Sequence, residues 1–290
     1  MTDIAPHWHQ PGVRQVRAGR GSGACPGTGA GRRGGPVAGR DHGPGMTSTV
    51  EVRRAGERHE ARLDWLHGRQ SFDTGVDPFG RDTHHGVLVV NNEDTVRPGT
   101  GFDTHPHRDM EIVTWVLSGS LVHQDSEGHA GLVYPNLAQR MTAGTGILHS
   151  ERNDTRPGAV EPVHFVQMWV VPDEPGLVPG YQQLELPEHE LAGQFATVAS
   201  GMARHAGSAA IRIANRFAAL HVARLAPGAQ VRLMDAPFLH VFLARGSVDV
   251  EGVGRAGTGD TIRLTGESGH RLTAVEPAEV LVWEMHADLG

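Results

Sequence analysis

The chain of 290 residues is 38% hydrophobic and carries a formal net charge of −7, which gives no reason to expect nucleic acid or an anionic membrane as a partner. Its length has room for two ordinary domains with their own cores. The single cysteine, Cys25, excludes an intrachain disulfide, and no apolar run approaches the roughly 20 residues that a membrane-spanning helix needs. We therefore expect a soluble protein of the cytoplasm.

The first 45 residues differ in composition from the rest of the chain. They contain twelve glycines, five prolines and six arginines without a hydrophobic period, so they cannot bury enough surface to offset the entropy of ordering. We predict that residues 1–45 are a disordered extension. One interpretation is a basic arm that contacts nucleic acid; the one we favour is an extension upstream of a natural start at Met46.

Short strands are predicted in the region that follows. Valine-rich or alternating segments, which are typical of strands, lie at residues 86–91, 111–117, 120–123 and 163–171. In the last of them Gln167 and Trp169 share one face, and we assign Trp169 to the core. We assign His123 and His129 to loops or to the rim of a pocket, with His123 at the pocket mouth as an alternative.

Two residue pairs in this region suggest metal binding. His105 and His107 are two residues apart, as are His149 and Glu151, and side chains two apart on a strand point to the same face. If the two strands are neighbours in a barrel, three imidazoles and one carboxylate converge on one point. This ligand set suits a divalent transition metal and leaves positions free for substrate, which favours catalysis. The alternative is that one or more of these histidines is a hydrogen-bonded core or surface residue.

The second half of the chain repeats the strand pattern of the first. Residues 172–194 are rich in proline, glycine and acidic residues, and we place a domain boundary there. The later strands of four to eight residues at regular spacing predict a second jelly-roll domain. Where the ligand pairs would fall, residues 232–234 read Arg-Leu-Met, and Leu272 and Ala274 take the later positions. We expect this second domain to be metal-free and structural.

Three segments of the first half resemble the motifs of a known family, the pirins. They are residues 101–111 (GFDTHPHRDME), 123–126 (HQDS) and 142–151 (TAGTGILHSE). The resemblance extends from about residue 50 to residue 289 and is weaker after residue 191. It implies an all-β protein of two cupin (jelly-roll) barrels, here residues 46–185 and 190–290, with one metal ion in the first barrel.

The resemblance also implies a ligand set and an activity. The metal ligands implied are His105, His107, His149 and Glu151, with iron as the expected metal and Cu, Mn, Co, Ni or Zn as alternatives. Bacterial pirins similar to this chain act as quercetin 2,3-dioxygenases, so the substrates implied are a flavonol and O2. Glu151 would then be the catalytic base as well as a ligand, and ring cleavage would release carbon monoxide.

A second glutamate is weighed against Glu151 as the acidic ligand. Cupins in general place a ligating glutamate a few residues after the histidine pair, and Glu111 matches that position. Pirins instead take the acidic ligand from the later motif, so we assign ligation to Glu151. Glu111 is expected to orient the ligating histidines without contacting the metal, or to form part of the pocket wall.

Two other functions remain open at this point. Other pirins act as metal-dependent partners of transcription factors or metabolic enzymes, so a non-catalytic protein with a protein partner is one alternative. The other is a cupin enzyme acting on a different substrate, because a fold does not determine a function. Turnover of quercetin with release of carbon monoxide would separate the dioxygenase from both.

Overall fold

The computed structural model describes residues 47–73, 82–155 and 158–290, and nearly all regular structure in these ranges is β. The predicted extension, residues 1–45, lies outside the described residues. The strands of the first half are β1 Thr49–Arg53, β2 His59–Arg62, β3 Leu66–Gln70, β4 Leu88–Val96, β5 Gly101–His107, β6 Glu111–Ser118, β7 Leu121–Asp125, β8 Ala130–Val133, β9 Leu137–Thr142, β10 Ile147–Asn153, β11 Val163–Val170 and β12 Gly180–Glu185.

The strands of the second half are β13 Ala196–Ser200, β14 Ile211–Arg212, β15 Ala218–Leu225, β16 Gln230–Arg232, β17 Phe238–Arg245, β18 Ser247–Val250, β19 Gly254–Gly257, β20 Thr261–Thr265, β21 Arg271–Ala274 and β22 Ala278–Met285. The described helical segments are short. They are the α-helix α1 Glu188–Leu191 and the 3-10 turns Ala55–Glu57 and Ala203–His205.

Two sheets form the first barrel. A seven-stranded sheet with the order β12-β9-β6-β11-β4-β3-β2 faces a four-stranded sheet with the order β5-β10-β7-β8. Alternate side chains of the large sheet enter the barrel, where Ile112 and Trp169 pack near one end and Val116 and Phe165 near the other. The predicted all-β cupin architecture is confirmed.

The second barrel repeats this plan with an apolar interior. Its seven-stranded sheet has the order β1-β20-β17-β22-β15-β13-β14, and its four-stranded sheet has the order β16-β21-β18-β19. Val241, Ile262 and Val282 lie in its interior cluster. The division into residues 46–185 and 190–290 stays a proposal. One strand of the first segment joins a sheet of the second barrel, and we call this the strand exchange.

That exchange involves the first strand. β1 pairs antiparallel with β20 along its whole length, from Thr49 opposite Thr265 to Arg53 opposite Thr261, so it extends the large sheet of the second barrel. The chain then crosses to the first barrel at β2. Periodicity along the sequence does not reveal this exchange, because the sequence of a short strand does not show which other strand it pairs with.

The two large sheets pack against each other through their outer faces. Trp115 of the first barrel and Leu220, Phe242 and Trp283 of the second belong to one buried cluster. The indole Nε1 of Trp115 donates a hydrogen bond of 2.8 Å to the buried carboxylate of Glu279. The outer face of each large sheet therefore belongs to a core shared by both barrels, and the four-stranded sheets lie away from it.

Within the described ranges, no helix combines the length and the apolar composition that a membrane crossing requires.

The shared core should be sensitive to loss of volume. Leu220 is completely buried between the sheets, so Leu220→Ala should lower the free energy of unfolding by about 2–5 kcal/mol, measured by urea denaturation. Leu184→Ala is the matched control, because Leu184 is 51% exposed and should change it by less than about 0.5 kcal/mol. Equal effects of the two substitutions would contradict this packing.

Candidate metal centre

The two predicted ligand pairs lie on adjacent strands of the four-stranded sheet. β10 lies between β5 and β7, so that His149 is directly opposite His105 on one side and Glu151 is directly opposite His123 on the other. Directly opposite residues of antiparallel strands place their side chains on the same face. The register shifts between His149 and Glu151 on the β5 side, and such a bulge changes the direction of a side chain relative to the regular pleat.

Three imidazoles meet on this face. The ring centres of His105 and His149 are 4.4 Å apart, and the ring of His107 is 4.8 Å from each of them. One ring nitrogen from each residue lies within 4.8 Å of the other two. At this spacing a single ion can contact all three residues.

The hydrogen bonds at these rings leave nitrogens available for a metal ion. Nδ1 of His105 donates to the backbone oxygen of Asp103 at 2.7 Å, so the lone pair of the neutral ring lies on Nε2. Both ring nitrogens of His107 and Nε2 of His149 are buried without a hydrogen-bond partner among the described residues. A buried polar atom without a partner costs about 1–3 kcal/mol, and imidazole nitrogens are common metal ligands, so these residues fit a bound ion.

Burial also keeps two of the imidazoles neutral. Burial, followed by the charges of His149 and His105, lowers the pKa of His107 to about 3. Burial, followed by the charges of His105 and His123, lowers the pKa of His149 to about 2. A histidine must be neutral to bind a metal, so both residues are ready for binding at neutral pH.

Glu151 is buried beside the histidines and is held by an amide. Its two carboxylate oxygens accept hydrogen bonds of 2.9 and 2.8 Å from Nε2 of Gln167. The amide oxygen of Gln167 in turn accepts a bond of 3.0 Å from Nε1 of Trp169, whose ring lies 4.8 Å from that of His107. Glu151 groups with His149 and His123 rather than with the first pair, so its place in one ligand set with all three histidines stays a prediction.

His123 was assigned to a loop or rim, and this assignment was wrong. It lies on β7 with 1% of its surface exposed, and its ring centre is 5.3 Å from that of His149. His129 lies in the turn after β7 with 39% of its side chain exposed, as expected for a rim residue. The signal for His123 was in the sequence: His123 and Asp125 have the same two-residue spacing as the two ligand pairs.

The expectation that Glu111 supports the ligands or lines the pocket was also wrong. Glu111 lies on β6 in the same alternation as Val113 and Trp115, which pack in the core shared by the two barrels. Its carboxylate accepts a hydrogen bond of 3.0 Å from the backbone nitrogen of Ala214 in the second barrel, and burial raises its pKa. Its side chain therefore points away from the histidines.

A belt of polar side chains crosses the interior of the first barrel beside Glu151. Asn92, Gln167, Thr114 and Gln139 are directly opposite one another on four neighbouring strands, and they separate the two apolar clusters. The hydroxyl of Thr114 and the amide oxygen of Gln139 are buried and have no hydrogen-bond partner within the described part of the chain. Asp94 lies on the same face as Asn92, and burial, with the nearby charge of Glu151, raises its pKa to about 7.

The corresponding strands of the second barrel carry apolar side chains at the inward positions. β16 pairs with β21, with Val231 opposite Leu272, and these two residues, with Leu233 and Ala274, lie in the interior cluster. Among the described residues, the groups of three or more potential ligands lie in the first barrel. These side chains support the prediction of a metal-free second barrel, which stays a prediction.

The sequence matches one protein family and relatives that carry one kind of name. The sequence profile of the family described as Pirin matches residues 52–170. A protein of Mycobacterium tuberculosis named "Putative quercetin 2,3-dioxygenase" is 55% identical over 245 residues, which cover 84% of this chain and 98% of that protein. A protein of Escherichia coli named "Quercetin 2,3-dioxygenase" is 41% identical over 134 residues, 46% of this chain and 57% of its own length.

Solved structures show the same architecture. A bacterial pirin from Escherichia coli in complex with nickel(II) superimposes with a TM-score of 0.72 at 30% identity, over 82% of this chain and 99% of that one. A quercetin 2,3-dioxygenase from Acinetobacter baumannii has a TM-score of 0.65 at 21% identity, over 83% and 87% of the two chains, which supports the fold alone.

Loss of one central imidazole should abolish metal binding. His149 takes part in both groups of potential ligands, so His149→Ala should reduce the metal bound per chain to near zero while circular dichroism stays unchanged. The measurement is metal content by mass spectrometry after reconstitution. His189→Ala, at an exposed position on α1, is the control and should retain full metal content; retention by His149→Ala as well would remove His149 from the site.

The metal-free protein should lose stability as the pH is lowered. The folded pKa of His107 lies below its value in the unfolded chain, so between about pH 6.5 and 3 the unfolded state binds a proton that the folded state does not. The free energy of unfolding therefore decreases as pH falls through this window. His107→Phe should reduce that slope by up to about 1.4 kcal/mol per pH unit in urea titrations between pH 5 and 6. An unchanged slope would show that His107 is protonated in the folded state.

Proposed function

Because the chain belongs to the pirin family of cupin proteins, we propose that it is a metal-dependent dioxygenase of the quercetin 2,3-dioxygenase type, which cleaves a flavonol ring with O2. The observation that carries the proposal is the cluster of three imidazoles, two of which have buried ring nitrogens without a partner among the described residues, next to a buried carboxylate. Relatives named for this activity support it, including one that is 55% identical over nearly its whole length.

In this proposal one divalent metal ion is held by His105, His107, His149 and Glu151. Three nitrogens and one carboxylate suit several first-row metals; we propose iron, with nickel, copper, manganese, cobalt or zinc as alternatives. A related pirin has been crystallised with nickel(II). When bound, the ion supplies Lewis acidity and open coordination positions for organic oxygen and O2.

The protein's own contribution to the reaction begins with Glu151. A carboxylate within hydrogen-bond reach of the 3-hydroxyl of a flavonol can accept its proton as a general base. The amide of Gln167 holds the carboxylate in place through two hydrogen bonds, and Trp169 holds the amide. An oriented base of this kind avoids the cost of ordering the side chain during the reaction.

The surroundings of the site fit an aromatic substrate that carries several hydroxyl groups. Tyr181 lies between two histidines, with ring centres 4.8 Å from His123 and 5.7 Å from His129. Burial raises the pKa of Tyr181 to about 12, so its phenol stays neutral. Apolar residues around His107, Trp169 among them, limit access of water to that ring, and the polar belt offers acceptor oxygens that have no partner among the described residues. The reaction balances as flavonol plus O2 giving the ring-opened ester plus carbon monoxide.

The test uses the metal-loaded chain with quercetin and O2. We expect loss of the flavonol absorbance with release of carbon monoxide, and a decrease in kcat of about 10²–10⁴-fold in Glu151→Gln, the range typical of removing a general base. Glu174→Gln, at an exposed position, is the matched control and should keep the activity of the unmodified chain. One metal ion per chain without any turnover would contradict the dioxygenase proposal. It would favour a non-catalytic protein that binds a protein partner, or an enzyme that acts on another substrate.

A further inference from the structure

A chain of buried polar groups leads from β7 to the central histidine of the site. Nε2 of His123 lies 3.2 Å from Oδ2 of Asp125, and Nδ1 of His123 lies 3.5 Å from Nδ1 of His149. The side chains of His123 and Asp125 are 1% and 0% exposed, and His149 is 2% exposed. Water therefore does not compete for these contacts.

The carboxylate at the far end of this chain is fixed by its own strand and turn. Oδ1 of Asp125 accepts hydrogen bonds of 3.0 Å from the backbone nitrogens of Glu127 and His129, and Oδ2 lies 3.0 Å from Nδ1 of His129. Burial raises the pKa of Asp125, but hydrogen bonds from the backbone of His129 and from the side chains of His123 and His129 outweigh it and leave the pKa below its usual value. Asp125 is therefore a fixed, ionised acceptor.

An ionised acceptor determines where the protons lie on the two imidazoles. Because a carboxylate can only accept, Nε2 of His123 carries a hydrogen and donates it. In a neutral ring Nδ1 of His123 is then an acceptor, so Nδ1 of His149 carries the hydrogen that bridges the two rings. This leaves the lone pair of His149 on Nε2, the buried nitrogen that has no partner among the described residues.

We propose that Asp125 and His123 are positioning residues that hold His149 in the tautomer and ring orientation needed to bind the metal ion through Nε2. The inference rests on the metal site proposed above. His123 is itself close enough to His149 and Glu151 to be a ligand, but both of its nitrogens are engaged, one by Asp125 and one by His149. Partners of this kind orient ligating histidines in many metal sites, and their loss typically reduces metal affinity by 10–100-fold.

The experiment measures nickel affinity by competition with a chelator, for the full chain and for variants of His123, Asp125 and His129. His123→Phe keeps a ring against Tyr181 but removes both nitrogens, and it should weaken nickel binding by about 10–100-fold. Asp125→Asn replaces an obligate acceptor by a group that can also donate, so it permits the opposite tautomer of both imidazoles. It should weaken binding in the same direction. His123→Asn returns an acceptor close to the position of Nδ1 and should bind more tightly than His123→Phe.

His129→Phe is the matched control. His129 contacts the same carboxylate as His123 and packs on the same tyrosine, but no contact links it to His149. His129→Phe removes one side-chain contact to Asp125 but leaves both backbone hydrogen bonds to Oδ1, so it should weaken nickel binding clearly less than His123→Phe does. Thermal melts of the metal-free proteins identify any variant that fails to fold, and Asp125→Asn, the smaller change, then takes the place of His123→Phe.

Three results would overturn the inference. The first is unchanged affinity in both His123→Phe and Asp125→Asn while the unmodified chain binds nickel. The second is an equal loss in His129→Phe, which would indicate a general effect on the turn. The third is His123→Asn no better than His123→Phe, which would make the ring itself, and not its acceptor nitrogen, the requirement. Failure of the unmodified chain to bind nickel would instead refute the metal site itself, and the inference with it.

Discussion

The burial of unpaired imidazole nitrogens is the constraint on which the site depends. His107 and His149 are almost fully inaccessible to solvent, and three of their four ring nitrogens have no hydrogen-bond partner within the described residues. Each such atom raises the free energy of the folded state, because it has lost the hydrogen bond that it makes to water in the unfolded chain. A metal ion bound through one nitrogen of each ring would replace two of these missing partners with coordination bonds, so the same imidazoles that destabilise the metal-free barrel would favour its metal-bound form.

The second barrel and the large sheet of the first barrel support the sheet that carries the ligands. The four-stranded sheet that carries the ligands lies away from the core between the barrels, whereas the large sheet opposite it is packed on the second barrel through residues such as Trp115 and Trp283. The second barrel fills its own inward positions with Val231 and Leu272. It therefore supports β6 and β11, which carry two of the four belt residues, Thr114 and the Gln167 that holds Glu151.

The sequence predicted those features that depend on local spacing. Residues two apart on a regular strand share a face, so the His105–His107 and His149–Glu151 pairs predicted a cluster; the structure brings His105, His107 and His149 together, and Glu151 as the fourth ligand stays a prediction. The errors concern residues whose environment depends on strand pairing. Glu111 follows the histidine pair closely in sequence, but the alternation of β6 turns it towards Ala214 of the second barrel. His123 was missed because its role depends on β7 being the neighbour of β10, and neither this pairing nor the exchange of β1 can be derived from periodicity along one chain.

We propose that His105, His107, His149 and Glu151 bind one metal ion together. The most direct measurement is an anomalous difference map from crystals of the full chain grown with nickel, recorded on both sides of the metal absorption edge. We predict a single strong peak at about 2.0–2.2 Å from three imidazole nitrogens and one oxygen of Glu151, the usual range for first-row metals. No peak at the three histidines would contradict the site. A peak at the histidines while the carboxylate of Glu151 remains hydrogen-bonded to Gln167 and does not contact the metal would contradict the assignment of Glu151 as a ligand.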